Sequence, residues 1–196
     1  MLPRDGMYNG AHIALLEVLS MPGVLWMIVV MLSVPLAAWA QPAKMPTVVI
    51  TLDKGGQITL ELWPAEAPSH VKNFLDLVGQ KFYDGQRVHR VEPGFVVQFG
   101  DPQSKTLPVD HPRMGTGGPG YTIKAEFNKR PFDRGVLGMA RSQDPDSAGS
   151  QVYLMLGPAH FLNGQYTAFG RVVKGMEAVD TIKVGDRIKA IAVVDR

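Results

Sequence analysis

The sequence contains no cysteine. That absence excludes disulfides, thiolate catalysis and cysteine-ligated metals. Charge is also sparse and nearly balanced: charged residues make up 19% and the formal net charge is +2. The Lys and Arg residues are scattered, with no basic stripe and no interleaving with aromatics, so nothing argues for a grip on nucleic acid. The five histidines, at positions 12, 70, 89, 111 and 160, show no paired ligand spacing, which leaves a zinc site without support. No internal repeat or low-complexity tract follows the first forty residues.

Three partial motifs fail on inspection. The run GTGGPG (115–120) has neither the Gly-Lys-Ser/Thr ending nor the strand-loop-helix setting of a phosphate loop. It reads as a loop that turns sharply and lies close to something. DPDSAG (144–149) starts like a calcium loop but has an internal proline, and Met155 stands where the bidentate glutamate belongs. A surface turn is the expectation. Ser150 lacks the flanking glycines of a nucleophile elbow, and no His and Asp present themselves as its triad partners.

What the chain does have is 196 residues, 45% of them hydrophobic, with 21 glycines and 15 prolines. The length suits one domain, or one domain with an appendage, and the turn residues favour a β-rich fold. Residues 21–40 carry no charge and end in Ala38-Trp39-Ala40 before Gln41, a small-x-small pattern suited to signal peptidase. The leader before it is weak, with Arg4 set against Asp5 and Glu17. Either translation starts further in, as at Met7, or the run stays as an uncleaved anchor, for it is about long enough to span a bilayer. Export is the expectation, with cleavage preferred. The lack of cysteine fits an oxidising compartment. QPAKMP (41–46) reads as a linker, and the folded domain is expected over 47–196.

TVVITL (47–52) and QITLEL (57–62) alternate like strands, and the glycines of DKGG between them permit a tight hairpin turn. In 67–80, Val71, Phe74, Leu75 and Val78 recur at helical spacing, and Gly79 sits where the helix can end. Further strands are expected at 87–91, 95–99, 122–126, 136–140, 151–155, 168–173 and 188–194. A second helix is expected at 175–184, with Met176, Val179 and Ile182 inward. The pattern predicts a mainly β fold: a closed antiparallel barrel of about eight strands, capped by two helices, with closure removing exposed edges.

Within VHRVEPGFVVQFGDP (88–102), Arg90 and Gln98 interrupt a run that is otherwise largely apolar. Gln98 needs a partner if buried, and Arg90 is the natural candidate. With no nucleophile, metal set or acid-base pair in view, one reaction that needs none of them is rotation about the peptide bond before proline. Its barrier, about 18–20 kcal/mol, comes from amide resonance. Twisting returns a lone pair to the prolyl nitrogen, and a fixed cation that donates to it stabilises the transition state selectively. Arginine suits this, being charged at any working pH with donors in a rigid fork. An apolar socket for the pyrrolidine ring strengthens that hydrogen bond.

HRVEPGFVVQFGDP, GTGGPG, GVLGMARSQDPDSAGSQVYLML and FLNGQYTAFGRVVKG, in that order, resemble the cyclophilin-type peptidyl-prolyl cis-trans isomerases over about 47–194. The resemblance implies that Arg90 is the catalytic arginine, Phe95 the aromatic floor of the proline socket, and Gln98 the glutamine holding arginine and substrate. It implies that Gly115 borders the groove and that Ala140, Arg141 and Ser142 form an edge pairing with the peptide backbone. Gln151 then lines the groove, Tyr153 is a second socket aromatic, and Phe161, Leu162 and Tyr166 form the far wall. No cofactor and no metal is implied, and the partners are proline-containing polypeptides. There are departures. Val96 replaces a common methionine, making the socket roomier, and Arg141 stands where many members have asparagine. Val152 and Tyr153 replace a Phe-Phe pair. Phe161 and Tyr166 replace the tryptophan and histidine of eukaryotic members, which implies weak cyclosporin binding.

These last features resemble bacterial exported members, so the expected location is the periplasm, or the inner membrane through the N-terminal run alone if that run is uncleaved. The expected form is a monomer that assists folding of exported proteins. Two other readings compete. One is a proline-peptide binding module or holdase with little turnover, kept open by the Arg141 and Val152 departures. The other is a scaffold on a retained membrane anchor. His89 reads as packed or exposed rather than catalytic, because isomerisation transfers no proton.

Overall fold

The structure, a computed structural model, describes residues 45–195. The apolar run within 1–40 and most of the linker at 41–46 lie outside the described residues. Eight strands and two α-helices follow in the order β1 Thr47–Leu52, β2 Gln57–Leu62, α1 Pro68–Gly79, β3 Arg90–Glu92, β4 Val96–Phe99, β5 Val136–Met139, β6 Val152–Met155, β7 Ala168–Lys174, α2 Met176–Asp180 and β8 Ile188–Asp195. They form one antiparallel sheet ordered β3-β4-β6-β5-β7-β2-β1-β8. The sheet curls until its two edges meet ahead of β3 and β8. There Val88 N–H donates to Asp186 O, Gly185 N–H to Val88 O, and Ile188 N–H to Gln86 O, each at 2.8 Å. Residues 87 and 88 therefore leave the expected third strand and close the barrel instead. Among the described residues no helix is long and apolar enough to cross a membrane.

Strand alternation separates two apolar clusters. Val97 and Phe99 of β4, Val152 and Leu154 of β6, and Leu137 and Met139 of β5 point to the larger one inside the barrel. Val96, Tyr153, Met155 and Val136, one residue out of phase on the same strands, build a smaller cluster on the outer face. This is the period-two rule of a pleated sheet. It places Val152 in the interior and Tyr153 on the outside, so only the second of those two departures can bear on a surface site.

Helix α1 closes the barrel with Val71, Phe74, Leu77 and Val78. Leu75, expected inward, lies at the rim, and Leu77 takes the buried place. The helix starts at Pro68 behind Ala67, which has no side-chain oxygen for a cap. Glu126 supplies the cap from a distant loop: Oε1 accepts from Ser69 N–H at 3.0 Å and Oε2 from His70 N–H at 2.9 Å. Oε2 also lies 2.6 Å from His70 Nδ1. A carboxylate here meets both orphan amides and the positive end of the helix dipole, so Glu126→Ala is expected to cost about 1 kcal/mol in urea unfolding.

Burial holds the imidazole of His70 below its usual value, against the opposing pull of Glu126. It folds neutral, and the unfolded chain takes up the proton first. Stability from this group is therefore complete above about pH 6.5 and is lost as pH falls below it. His89 is lowered by burial too and adds a loss of the same sign. Urea midpoints at about pH 7.5 and about pH 5.5 should fall less for His70→Gln than for wild type. An equal fall in both would remove His70 from the account.

Two further expectations fail. Residues 122–126 form no strand, only an isolated bridge between Ile123 and Ala148. Side chains take the donors that a ladder would use: Ala125 N–H goes to Asp146 Oδ1 and Glu126 N–H to Thr167 Oγ1, both at 2.9 Å. The second helix is half its expected length. It enters from Gly175, at φ 87° and without a side-chain cap, and Ile182 follows in a turn. Ile182 is nonetheless buried with Val179, while Met176 packs only in part.

Candidate active site

Register, more than chain proximity, assembles the site. Arg90 lies opposite Gln98, Gln98 opposite Tyr153, and Tyr153 opposite Gly138. These four residues form one cross-strand row over β3, β4, β6 and β5. Directly opposed side chains stand close enough to interact, which answers why two polar residues interrupt the apolar run. The cation and the amide share a row with an aromatic ring.

Arg90 Nη1 donates to Gln98 Oε1 at 3.1 Å, and Gln98 Nε2 donates to Gln151 Oε1 at 3.0 Å. Arg90 Nε lies 3.5 Å from Glu92 Oε1 in an exposed pair, which is worth little. The bend at Glu92–Gly94 brings Phe95 beneath the cation, with Arg90 Cζ 5.8 Å from the ring centroid. A short 3-10 turn, His160–Leu162, lays Phe161 against Phe95 with centroids 5.8 Å apart. Together these groups surround an open cavity of about 640 Å³. Of the expected site residues, Arg90, Phe95, Val96, Gln98, Gly115, Ala140, Arg141, Tyr153, Phe161, Leu162 and Tyr166 line it. Ser142 and Gln151 instead line an adjoining cavity of about 620 Å³. Gln98, Gly115, Ala140 and Arg141 border both and form the waist between them.

Tyr153 is 5% exposed, with its ring between Phe132 and Tyr166 at centroid distances of 6.0 and 6.3 Å. Burial raises its phenol well above the ordinary value, so the hydroxyl keeps its proton. Arg141 lies outside β5 and is spent on backbone. Its Nε and Nη2 donate to Gln165 O at 3.1 and 3.0 Å, Nη1 reaches Ser142 O at 2.8 Å, and Cζ sits 4.4 Å from the Tyr166 centroid. The Ser142 amide is also engaged, by Ser147 Oγ at 2.8 Å. His89 forms part of the cavity wall, and burial keeps its imidazole below the usual value despite Asp101 nearby.

Sequence reasoning passed over three contributors. Gly138 leaves room for Tyr153, and a glycine inside a strand pattern was a usable signal of close approach. Asp101 is fully buried and holds the 115–117 loop; its place before Pro102 marks it as a cap for the 3-10 turn that follows. Val109, Asp110, His111 and Met114 close one side of the cavity, and nothing in their spacing points there. Among the described residues no group of three His, Asp or Glu side chains comes together as metal ligands. What the site offers is an oriented cation beside an apolar socket, able to stabilise charge on a small ring nitrogen without proton transfer.

Comparison with known proteins bears directly on this geometry. The family model of cyclophilin-type peptidyl-prolyl cis-trans isomerases matches residues 47–194. A probable peptidyl-prolyl cis-trans isomerase of Brucella suis is 46% identical over 167 residues, covering 84% of this chain and 85% of that protein. Peptidyl-prolyl cis-trans isomerase B of Bacillus subtilis is 41% identical over 151 residues, covering 76% and 99%. Among solved structures, a cyclophilin-type isomerase of Cryptosporidium parvum superposes with a TM-score of 0.67 at 26% identity, over 78% of this chain and 99% of that one. The same protein determined in the presence of the dipeptide Ala-Pro gives 0.66 at 28% identity, over 76% and 99%. The chain belongs to the cyclophilin-type peptidyl-prolyl cis-trans isomerase family.

Proposed function

We propose that this protein catalyses cis–trans rotation about Xaa-Pro bonds, with the Arg90 guanidinium stabilising the twisted amide. The observation that carries the reading is the Arg90–Gln98 pair standing over Phe95 at an open cavity with an apolar socket formed by Phe95, Val96, Tyr153, Phe161 and Leu162. In the planar amide the prolyl nitrogen has no lone pair to offer; in the twisted one it does. A donor that engages only the twisted form lowers the barrier without tightening the ground state. Gln98 takes one of the guanidinium's five hydrogens and leaves others for that nitrogen. Phe95, Val96, Tyr153, Phe161 and Leu162 then receive the ring, and Ala140 to Ser142 run beside the peptide backbone. A protease-coupled assay on an Xaa-Pro peptide tests this. Peptide binding with no acceleration would instead mark a binding module. The two departures that kept that alternative open count for less now, because Val152 is interior and the Arg141 side chain is engaged with backbone carbonyls.

The proposal extends to the setting. The uncharged run at 21–40 and its Ala38-Trp39-Ala40 end support export to the periplasm of a bacterium, where the enzyme would work as a monomer on exported polypeptides. Mass spectrometry of the mature N-terminus separates cleavage after Ala40 from a retained anchor. Cyclosporin binding is expected to be weak. Phe161 is 68% exposed at the rim and its phenyl ring has no N–H to donate, unlike an indole. Inhibition of the purified protein at nanomolar cyclosporin would contradict this.

A further inference from the structure

We infer that Asp101 is a positioning residue: its buried carboxylate fixes the 115–117 loop and, through Gln151 and Gln98, the direction of the Arg90 guanidinium. The inference rests on Arg90 acting as proposed above. Asp101 is 0% exposed, and among the described residues no Lys or Arg pairs with it. Burying a charge without a counter-ion is costly unless hydrogen bonds replace the lost water. Three backbone amides do so. Gln103 N–H donates to Oδ1 at 2.8 Å, and Gly115 and Gly117 N–H donate to Oδ2 at 2.7 and 3.2 Å. The approach is so close that a methyl group on Gly117 would overlap Oδ1 and lie 2.8 Å from Gln103 Nε2. Only glycine allows it.

The opposite side of the same loop faces the catalytic row. Gly115 O and Gly117 O each accept from Gln151 Nε2 at 2.8 Å. Both hydrogens of that amide are thereby used, and its oxygen must turn toward Gln98, whose Nε2 it accepts at 3.0 Å. Gln98 in turn has one way to face, with Oε1 toward Arg90 Nη1 at 3.1 Å. Flipping either amide would set NH₂ against NH₂ and oxygen against carbonyl oxygen. The chain of donors and acceptors therefore has a single sense, and its fixed end is Asp101, which touches neither the cavity nor Arg90.

The test uses Asp101→Asn, which keeps the volume but removes the charge and leaves one oxygen for three amides, setting an NH₂ group against at least one of them. The expected result is a kcat about tenfold to a hundredfold lower with KM within about twofold of wild type, and a shifted or broadened Arg90 Nε–Hε resonance in ¹⁵N spectra. In a Gln98→Ala background, where the relay is already cut, the same substitution should lower kcat less than about twofold. Losses that simply multiply in the double variant, or an unmoved Arg90 resonance, would overturn the inference. If Asp101→Asn does not fold, Gly117→Ala carries the test, because its methyl overlaps Oδ1, pushes the loop off the carboxylate and leaves the charge in place. Failure of both to fold would show a purely structural role and also overturn it. Arg90→Ala in the same assay keeps the two ideas apart. Undiminished activity there defeats the catalytic reading, whereas its loss beside a fully active Asp101→Asn defeats only this inference.

Discussion

Arg90→Ala is expected to lower kcat/KM by about 100- to 1000-fold, or roughly 3–4 kcal/mol of transition-state stabilisation, the effect of removing one preorganised donor from a partly dry site. The size follows from the setting of the guanidinium. It is pinned on one side by Gln98 at 3.1 Å and faces Phe95 at 5.8 Å, so under the proposed mechanism it would meet the developing lone pair without reorganising. The same donor in water would be worth far less. Stability should change by less than about 0.5 kcal/mol, since the side chain is exposed and its ion pair with Glu92 is a surface pair. Arg90→Lys should recover only part of the loss. An ammonium keeps the charge but cannot donate to Gln98 and to the substrate in the fixed geometry of a fork. Progress curves with a Xaa-Pro peptide, corrected for the spontaneous rate, check both variants.

Gly138→Ala is expected to cost about 1–3 kcal/mol in urea unfolding. The added methyl would come within 2.5 Å of Tyr153 Cε2 and Oη. Tyr153 cannot swing away, because Phe132 and Tyr166 flank it and it is 5% exposed. Either β5 separates from β6 or the ring is driven into the socket, and activity should fall along with stability. A double-mutant cycle isolates the cause. Combining Gly138→Ala with Tyr153→Ala relieves the overlap, so the pair should cost clearly less than the sum of the single changes. Strict additivity would mean that the damage arises elsewhere.

How far the sequence could be read depended on whether the deciding contacts were local. Helix α1 was legible because Val71, Phe74 and Val78 repeat at its own period, and the β1–β2 hairpin because Gly55 and Gly56 supply the positive φ its turn requires. The Arg90–Gln98 pair was legible as a chemical oddity inside an apolar run, and the ordered blocks that resemble the family gave the other site residues their expected places. Residues 122–126 misled because their pattern is strand-like, while their amides are taken by Asp146 and Thr167 from distant loops. Closure of the barrel by 85–88 against 185–188 joins segments a hundred residues apart, and no periodicity encodes such a pairing. Asp101 stayed hidden for a similar reason. A lone aspartate after a glycine reads as a turn residue until the 115–117 loop is seen folded onto it.

The central claim is that Arg90 acts on the twisted amide more than on the bound peptide. Exchange NMR on a proline-containing peptide tests it most directly, because one sample reports both affinity and cis–trans exchange. With wild-type protein at catalytic concentration, cis and trans resonances should show exchange cross-peaks. With Arg90→Ala the peptide should bind within a fewfold of wild type while those cross-peaks vanish. Exchange that persists in the variant, or that disappears only because binding does, would contradict the account.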